Sequence, residues 1–222
     1  SVTALLGPSG CGKSTLLNAI AGFVPLAEGT VQVDGRPVQG PSPEVGVVFQ
    51  QYALFPWFTA RGNVEFALRR FGLPKPERRA AAEAALAEVG LAGRGDAYPG
   101  QLSGGMKQRV ALARTLAARP KVLLMDEPFG ALDAQTRAAM HELLLKVWEA
   151  HRTTVLFVTH DVDEALVLAD RVHVMSTGPG RIVETIGLGD RAARKVDRIG
   201  PDYVALRNRI IGLLRHHPTP ET

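Results

Sequence analysis

The chain has a single cysteine, Cys11. No intrachain disulfide can form, and a reducing cytoplasm is the compartment that suits such a sequence. Long hydrophobic runs are missing as well. The longest apolar stretches, such as "VLLM" (122–125) and "ALVLA" (165–169), fall far short of the roughly 20 residues that a membrane-crossing helix needs. No signal-peptide pattern opens the chain, so any dealing with a membrane is expected to run through a partner. Charge of one sign is not concentrated either: the net charge is +4, which argues against nucleic acid as a partner. The densest basic stretch, "RAARKVDRIG" (191–200), also carries Asp197 and reads as a solvated face, with a membrane surface as the weaker alternative. There are no internal repeats. The one low-complexity segment is the "HHPTPET" tail, for which disorder is expected.

What is present is enough for one large domain. With 222 residues, 45% hydrophobic and 22% charged, the chain can bury a substantial core. Apolar runs predict strands at 2–6, 45–50, 121–128 and 153–160, and two more in "RVHVMS" and "RIVETI" around a "TGPGR" turn. "GTVQVDGRPV" (29–38) alternates around Asp34-Gly35 and predicts a hairpin. Helical spacing marks 13–21, 134–151 and 162–169, and dominates from 61 to 118, where "PERRAAAEAALAEVG" has Pro early and Gly at its end. Strands alternating with helices at both ends indicate an α/β sheet, and the helical middle reads as an inserted subdomain. The expected division is a single domain, 1–222, with a catalytic α/β core from 1–60 and 119–222 and a helical subdomain over about 61–118. The opening "SVTALLG" starts on a strand with no initiator Met, so N-terminal strands are expected to be missing from it.

"GPSGCGKST" (7–15) matches the pattern G-x-x-x-x-G-K-[ST], between a strand and a helix as that pattern requires. A chance match in a chain this long is about one or two per cent. Backbone N–H groups across Gly7, Pro8, Ser9, Gly10, Cys11 and Gly12 would wrap phosphates, Lys13 would neutralise the terminal ones, and the hydroxyls of Ser14 and Thr15 follow, Ser14 able to ligate Mg²⁺. Cys11, beside Lys13 and a helix N-terminus, would be a reactive thiolate if solvent reached it, and merely a small loop residue otherwise. "LLMDEP" ends an apolar strand in two acids. Asp126 suits the Mg²⁺ side of a nucleotide site, and Glu127 can orient or deprotonate an attacking water. His160 ends the next apolar strand, and Gln50 follows "VGVVF". In a parallel sheet both come to the ligand-binding edge, His160 within reach of a γ-phosphate and Gln50 able to hold a metal or a water.

A second phosphate cradle is less expected. "QLSGGMKQR" (101–109) runs Ser103, Gly104 and Gly105 into a helix whose first N–H groups are unpaired. A nucleotide needs one such turn, and this chain already has one.

In order, the glycine loop, Gln50, "LSGGMKQR", "LLMDEP", "ALD" and "VTHD" resemble the ATP-binding cassette of membrane transporters over nearly the whole chain. The resemblance implies that two cassettes pair head to tail and that each ATP lies between one protomer's glycine loop and the other's Ser103–Gly105 turn. It implies that Lys13, Ser14 and Thr15 are phosphate and metal contacts, Gln50 the link between metal and membrane partner, and Glu127 the general base. His160 would be the γ-phosphate switch and Asp133, in "GALD", a cross-interface residue. Met106 stands where the family usually has Gln, and the family's adenine-stacking aromatic lies upstream of residue 1. Longer phrases, from "AGFVPLAEGTVQVDG" to "PWFTARGNVEFAL", with "LLLKVW" and "STGPGRIVE", are similar to the ATPase subunits of nitrate, sulfonate and taurine importers. The cofactors so implied are ATP and Mg²⁺. The implied partners are a second protomer, an integral-membrane permease and, indirectly, a solute-binding protein, at the cytoplasmic face of the membrane. A soluble cassette ATPase outside transport and a small P-loop kinase are the alternatives. The first usually carries tandem cassettes, and the second has no use for a second phosphate turn. The stretch with Leu54, Phe55, Trp57 and Phe58 is either subdomain core or a groove for a permease helix.

Overall fold

A computed structural model describes residues 1–189 and 200–215. The basic stretch, except Gly200, and the "HHPTPET" tail lie outside them.

Six strands form the main sheet in the order β4-β5-β6-β1-β7-β8: β1 Val2–Leu6, β4 Val45–Val48, β5 Val122–Asp126, β6 Thr154–Thr159, β7 Arg171–Ser176 and β8 Arg181–Gly187. All neighbours are parallel except β7 and β8. The predicted hairpin is a separate two-stranded sheet, β2 Gln32–Val33 with β3 Arg36–Pro37. Asp34 and Gly35 at its turn both have positive φ (49° and 74°), as a two-residue hairpin loop demands.

Strand residues alternate between two cores. Val2, Ala4, Leu6, Leu123, Met125, Val155 and Phe157 face the larger one, and Leu5, Leu124 and Val158 the smaller. Burial on both faces is why these strands read as continuous apolar runs. Helix α1 (Lys13–Ile20) closes the smaller core through Leu17. On the other side lie α5 (Ala134–His151) and α6 (Val162–Leu168). Between β4 and β5 the chain makes α2 (Ala60–Leu68), α3 (Lys75–Glu88) and α4 (Gly104–Ala117), which pack on one another as the inserted helical layer. Arg61 ties this layer together with ion pairs to Glu83 and Asp96. A further helix among the described residues, α7 (Pro201–Arg215), was not anticipated. It buries Tyr203 and Ile210 and packs on α6 and β7.

The order β4-β5-β6-β1 has one functional consequence. The carboxyl ends of four adjacent parallel strands lie along one edge, and each is followed by a loop that the sequence singled out. Open α/β sheets bind ligands at this edge, where the strand order reverses.

Candidate functional site

Four loops meet at this edge. After β1, Gly12 takes the left-handed conformation (φ 95°) at the N-terminus of α1, and no side chain caps the helix there. Its first N–H groups are thus presented to the loop, at the positive end of the helix dipole. Lys13 is buried and arches back beneath the loop, its Nζ donating to the carbonyls of Gly7 (2.7 Å) and Pro8 (2.8 Å). Positive charge and backbone donors therefore converge on 7–15, an arrangement that suits a polyphosphate.

The acids of β5 stand opposite. Ser14 Oγ donates to Asp126 Oδ1 at 3.0 Å. Glu127 is in the left-handed region at φ 43°, uncommon for a residue with a side chain and a recurrent feature of functional sites. Its backbone N–H stays on the sheet, bonded to Val158 O at 3.0 Å. Its carboxylate lies between the two neighbouring loops: Gln50 Nε2 donates to Oε2 at 3.4 Å, and His160 Nδ1 is 3.3 Å from Oε1. Gln50, Asp126, Glu127 and His160, from three different strand ends, thus form one strip beside the glycine loop. His160 is 63% exposed, free to meet a ligand.

Cys11 is placed differently from the reactive alternative. Its side chain is only 3% exposed and packs in the smaller core with Leu5, Leu17 and Met175. Solvent does not reach the thiol. Within the loop the thiol accepts from Lys13 Nζ at 3.8 Å, on the buried side away from solvent.

The second turn is intact as a helix start. Ser103 caps α4, its hydroxyl accepting from Met106 N at 3.3 Å. Gly105 is required by a close approach: a Cβ there would lie 2.4 Å from Thr136 Cγ2. Ser103, Gly105 and Met106 line a groove together with Arg94, Arg109 and Gln135, and no residue of 7–15 borders it. Asp133 also caps a helix. Its carboxylate accepts from Gln135 N (3.1 Å) and Thr136 N (3.0 Å) at the start of α5. Hydrogen bonds from Thr136 hold its pKa below the usual carboxylate value.

Comparison with known proteins decides what this edge belongs to. The ABC transporter family model matches residues 1–130. The taurine import ATP-binding protein TauB of Chromobacterium violaceum is 53% identical over 214 residues, covering 93% of this chain and 81% of that protein. The chain belongs to the ABC transporter family. The nitrate import ATP-binding protein NrtD of Synechocystis is 50% identical over 225 residues, covering 98% of this chain and 84% of its own. Among solved structures, the ATP-binding cassette MJ0796, a dimer bound to ADP and Pi, superposes with a TM-score of 0.74 at 34% identity, covering 85% of this chain and 86% of its own. CbiO1 of Clostridium perfringens, part of the transporter complex cbiONQ, reaches 0.78 at 30% identity, covering 93% and 87%. This cassette is an ATPase of the nitrate and taurine importer type, and it binds ATP.

Around the loop that follows Gln50, the cassette shows what sequence alone left open. Phe55, Trp57, Phe58 and Phe66 form one aromatic cluster, half in the fold and half out. Leu54 packs on the larger core, whereas Trp57 is 67% exposed and Phe66 44%. Asn63, fully buried, accepts from Phe55 N and donates to the carbonyls of Phe55, Phe58 and Thr59. Arg114 donates to Ala53 O at 2.7 Å and lies over the Phe55 ring. The loop is therefore rigidly held, with its aromatic tip outward. Neither Asn63 nor Arg114 carries a sequence signal of this role, because both act through backbone carbonyls brought to them by the fold. Among the described residues, no helix is long and apolar enough to cross a membrane.

Proposed function

We propose that this cassette energises a membrane importer by hydrolysing ATP at two composite sites, each formed by loop 7–15 of one protomer and the Ser103–Gly105 turn of its partner. The observation that carries this is the separation of the two cradles. The groove bordered by Ser103 and Gly105 contains none of the glycine loop, so within one chain the second turn has no phosphate of its own to hold. Two dimeric MJ0796 structures, one bound to ADP and Pi, agree with such pairing.

Within the site, Lys13 and the N–H groups at the start of α1 would hold the phosphates. The Ser14 hydroxyl, the Asp126 carboxylate and the Gln50 amide oxygen are hard oxygen donors of the kind Mg²⁺ takes. One carboxylate with a hydroxyl suits an ion that draws its remaining ligands from phosphate and water; when bound, it would offset the phosphate charge. Among the described residues, no group of three acids, histidines or cysteines could hold a metal unaided, which suits that division. Glu127, held between Gln50 and His160, would orient the attacking water and accept its proton. His160 would face the terminal phosphate, and Asp133 would lie near the partner.

Beyond the site, Trp57 and Phe66 are exposed apolar surface of the kind that receives a partner helix, in this reading one from a permease at the cytoplasmic face. A solute-binding protein would deliver the solute. Taurine, a sulfonate or nitrate is the solute class that the named relatives support. The test is sedimentation of the Glu127→Gln variant with and without Mg-ATP, followed by co-purification with a co-expressed permease of the nitrate and taurine importer type. ATP-dependent dimerisation and a membrane complex are expected; a monomer under all conditions refutes the composite site.

A further inference from the structure

Behind the Glu127–His160 strip lies a charged cluster that nucleotide chemistry does not use. His160 sits at the tip of a short turn whose two flanking residues are both pinned. Thr159, buried, donates from Oγ1 to Glu164 Oε2 at 2.6 Å and accepts from Asp161 N at 3.0 Å. Asp161 caps α6, its Oδ1 accepting from Asp163 N and Glu164 N at 2.8 and 3.2 Å. Asp-x-x-Glu at a helix start would ordinarily turn the Glu back to the cap residue's own N–H. Here Thr159 takes that N–H, and Glu164, only 4% exposed, turns inward.

What it meets there comes from one face of α5. Arg137 Nε stands 3.6 Å and His141 Nε2 3.9 Å from Glu164 Oε1, four residues apart and so on the same side of the helix. The same guanidinium reaches both loops of the site. Nη1 is 3.6 Å from Asp161 Oδ2, beside His160. Nη2 donates to Leu132 O at 3.1 Å, in the segment that begins at Glu127 and ends at Asp133. That segment is folded on itself through Gly130 N to Glu127 O and Leu132 N to Phe129 O, and the Phe129 ring packs edge-on against His141 at 4.5 Å. One side chain therefore connects the loop bearing His160 to the loop running from Glu127 to Asp133. Of these three contacts the one to Leu132 O is a hydrogen bond, those to Glu164 and Asp161 are ion pairs at 3.6 Å, and the buried Nε has no hydrogen-bond partner among the described residues. The planar fork of arginine lets one side chain face all three groups at once.

We propose that Arg137 is a positioning residue, ion-paired with Glu164 and Asp161 and hydrogen-bonded to Leu132 O, that keeps the His160 loop and the 127–133 loop in register. A displacement of the partner-facing Asp133 segment would then be felt at His160 in the same chain. The inference rests on the reading of Glu127 and His160 as reaction-centre residues.

The experiment uses the 222-residue chain labelled with ¹³C-histidine, without nucleotide. The His160 ring signal is assigned by its loss in His160→Gln. In Arg137→Gln this signal is expected to shift and broaden, while that of His173, bonded to Thr185 on the far side of β1, stays in place. Glu164→Gln should move the same signal, and the double variant should move it no further than the larger single effect, as members of one network do. With ATP, both variants should keep their binding constant within about threefold and lose about tenfold or more in kcat, the pattern of an interaction that matters only during reaction. Arg137→Lys, which keeps the charge and loses the fork, serves if the Gln variant does not fold; a His160 shift is expected there as well. An unmoved His160 signal in either folded Arg137 variant, or a kcat loss matched by lost ATP binding, overturns the proposal. Glu127→Gln run in parallel separates the two levels. If it hydrolyses ATP normally, the site reading fails; if it is inactive while Arg137→Gln keeps full kcat, the positioning role alone fails.

Discussion

His160 Nδ1 lies 3.3 Å from Glu127 Oε1, joining the ends of two neighbouring parallel strands at a contact that neither strand could make alone. With Gln50 on its other oxygen, the Glu127 carboxylate is held at both ends, oriented before any ligand arrives. Glu127→Gln keeps the size of the side chain, turns one of its two accepting oxygens into an N–H donor and removes its basicity. Turnover is expected to fall by about a hundredfold or more, within the range for lost acid–base help, with ATP binding retained. Single-turnover hydrolysis and nucleotide titration check this, and near-normal hydrolysis would remove Glu127 from the proposed role.

The Ser103–Gly105 turn is tested by Gly104→Asp. A Cβ at Gly104 would lie 3.0 Å from the Tyr52 hydroxyl, at the end of a side chain that can yield, so the monomer should fold and bind ATP. A carboxylate facing the partner's phosphates would oppose closure by like-charge repulsion. Mixing this variant with Lys13→Ala gives a dimer in which one composite site is intact and the other carries both lesions. ATP-dependent crosslinking and part of the activity should return in the mixture. Loss of ATP binding by the isolated Gly104→Asp monomer would instead assign the turn to its own chain's nucleotide.

The aromatic tip offers a variant with little structural cost. Trp57 is largely exposed, whereas Phe58 touches Phe55, Trp57 and Phe66 and would disturb the loop if charged. Trp57→Asp is expected to leave the basal ATPase and the melting temperature of the free cassette unchanged and to reduce permease association and uptake at least about tenfold, as loss of an aromatic anchor does. Unchanged uptake would place the permease contact elsewhere.

Glu164 predicts a pH effect of definite sign. Burial, opposed in part by the Thr159 hydrogen bond and by Arg137, raises its pKa above the ordinary carboxylate value. A raised folded-state pKa means that the native chain holds the proton longer than the unfolded chain. The associated stability is present below the ordinary Glu pKa and is lost as pH rises through the raised value. Glu164→Gln removes this loss, so the variant's melting temperature should gain on the wild type as pH climbs from acid towards neutral. Parallel curves across that range would show that Glu164 carries no net shift.

Cys11 gives the reverse of the expectation for an accessible loop thiol. Buried against Met175 and Leu17, it should react with a thiol reagent only through opening of the fold. Labelling should be slow in the native chain and rapid in denaturant. Rapid native labelling that Mg-ATP suppresses would restore the reactive alternative.

Much of this was legible in sequence because it is local. Strand and helix positions follow from apolar spacing, as with α5 at 134–151. The glycine loop is a contiguous signal whose geometry is set by its own residues, and Asp126, Glu127, His160 and Gln50 announce themselves by ending apolar runs. Helix α7 escaped because "PDYVALRNRIIGLLR" buries Tyr203 and Ile210 and covers Leu206, Ile211, Leu213 and Leu214 only in part, among three arginines. Tertiary structure alone decided which strand ends are neighbours. Apolar alternation says which face of a strand is buried but not which strand lies beside it, and the order β4-β5-β6-β1 is what lets Gln50 and His160 both reach Glu127. It also decided the inward turn of Cys11, and the reach of Arg137 from Leu132 in its own segment to Asp161 and Glu164, which come to it only because α5 packs on α6. Those outcomes depend on long-range packing, and no local pattern of residues encodes them.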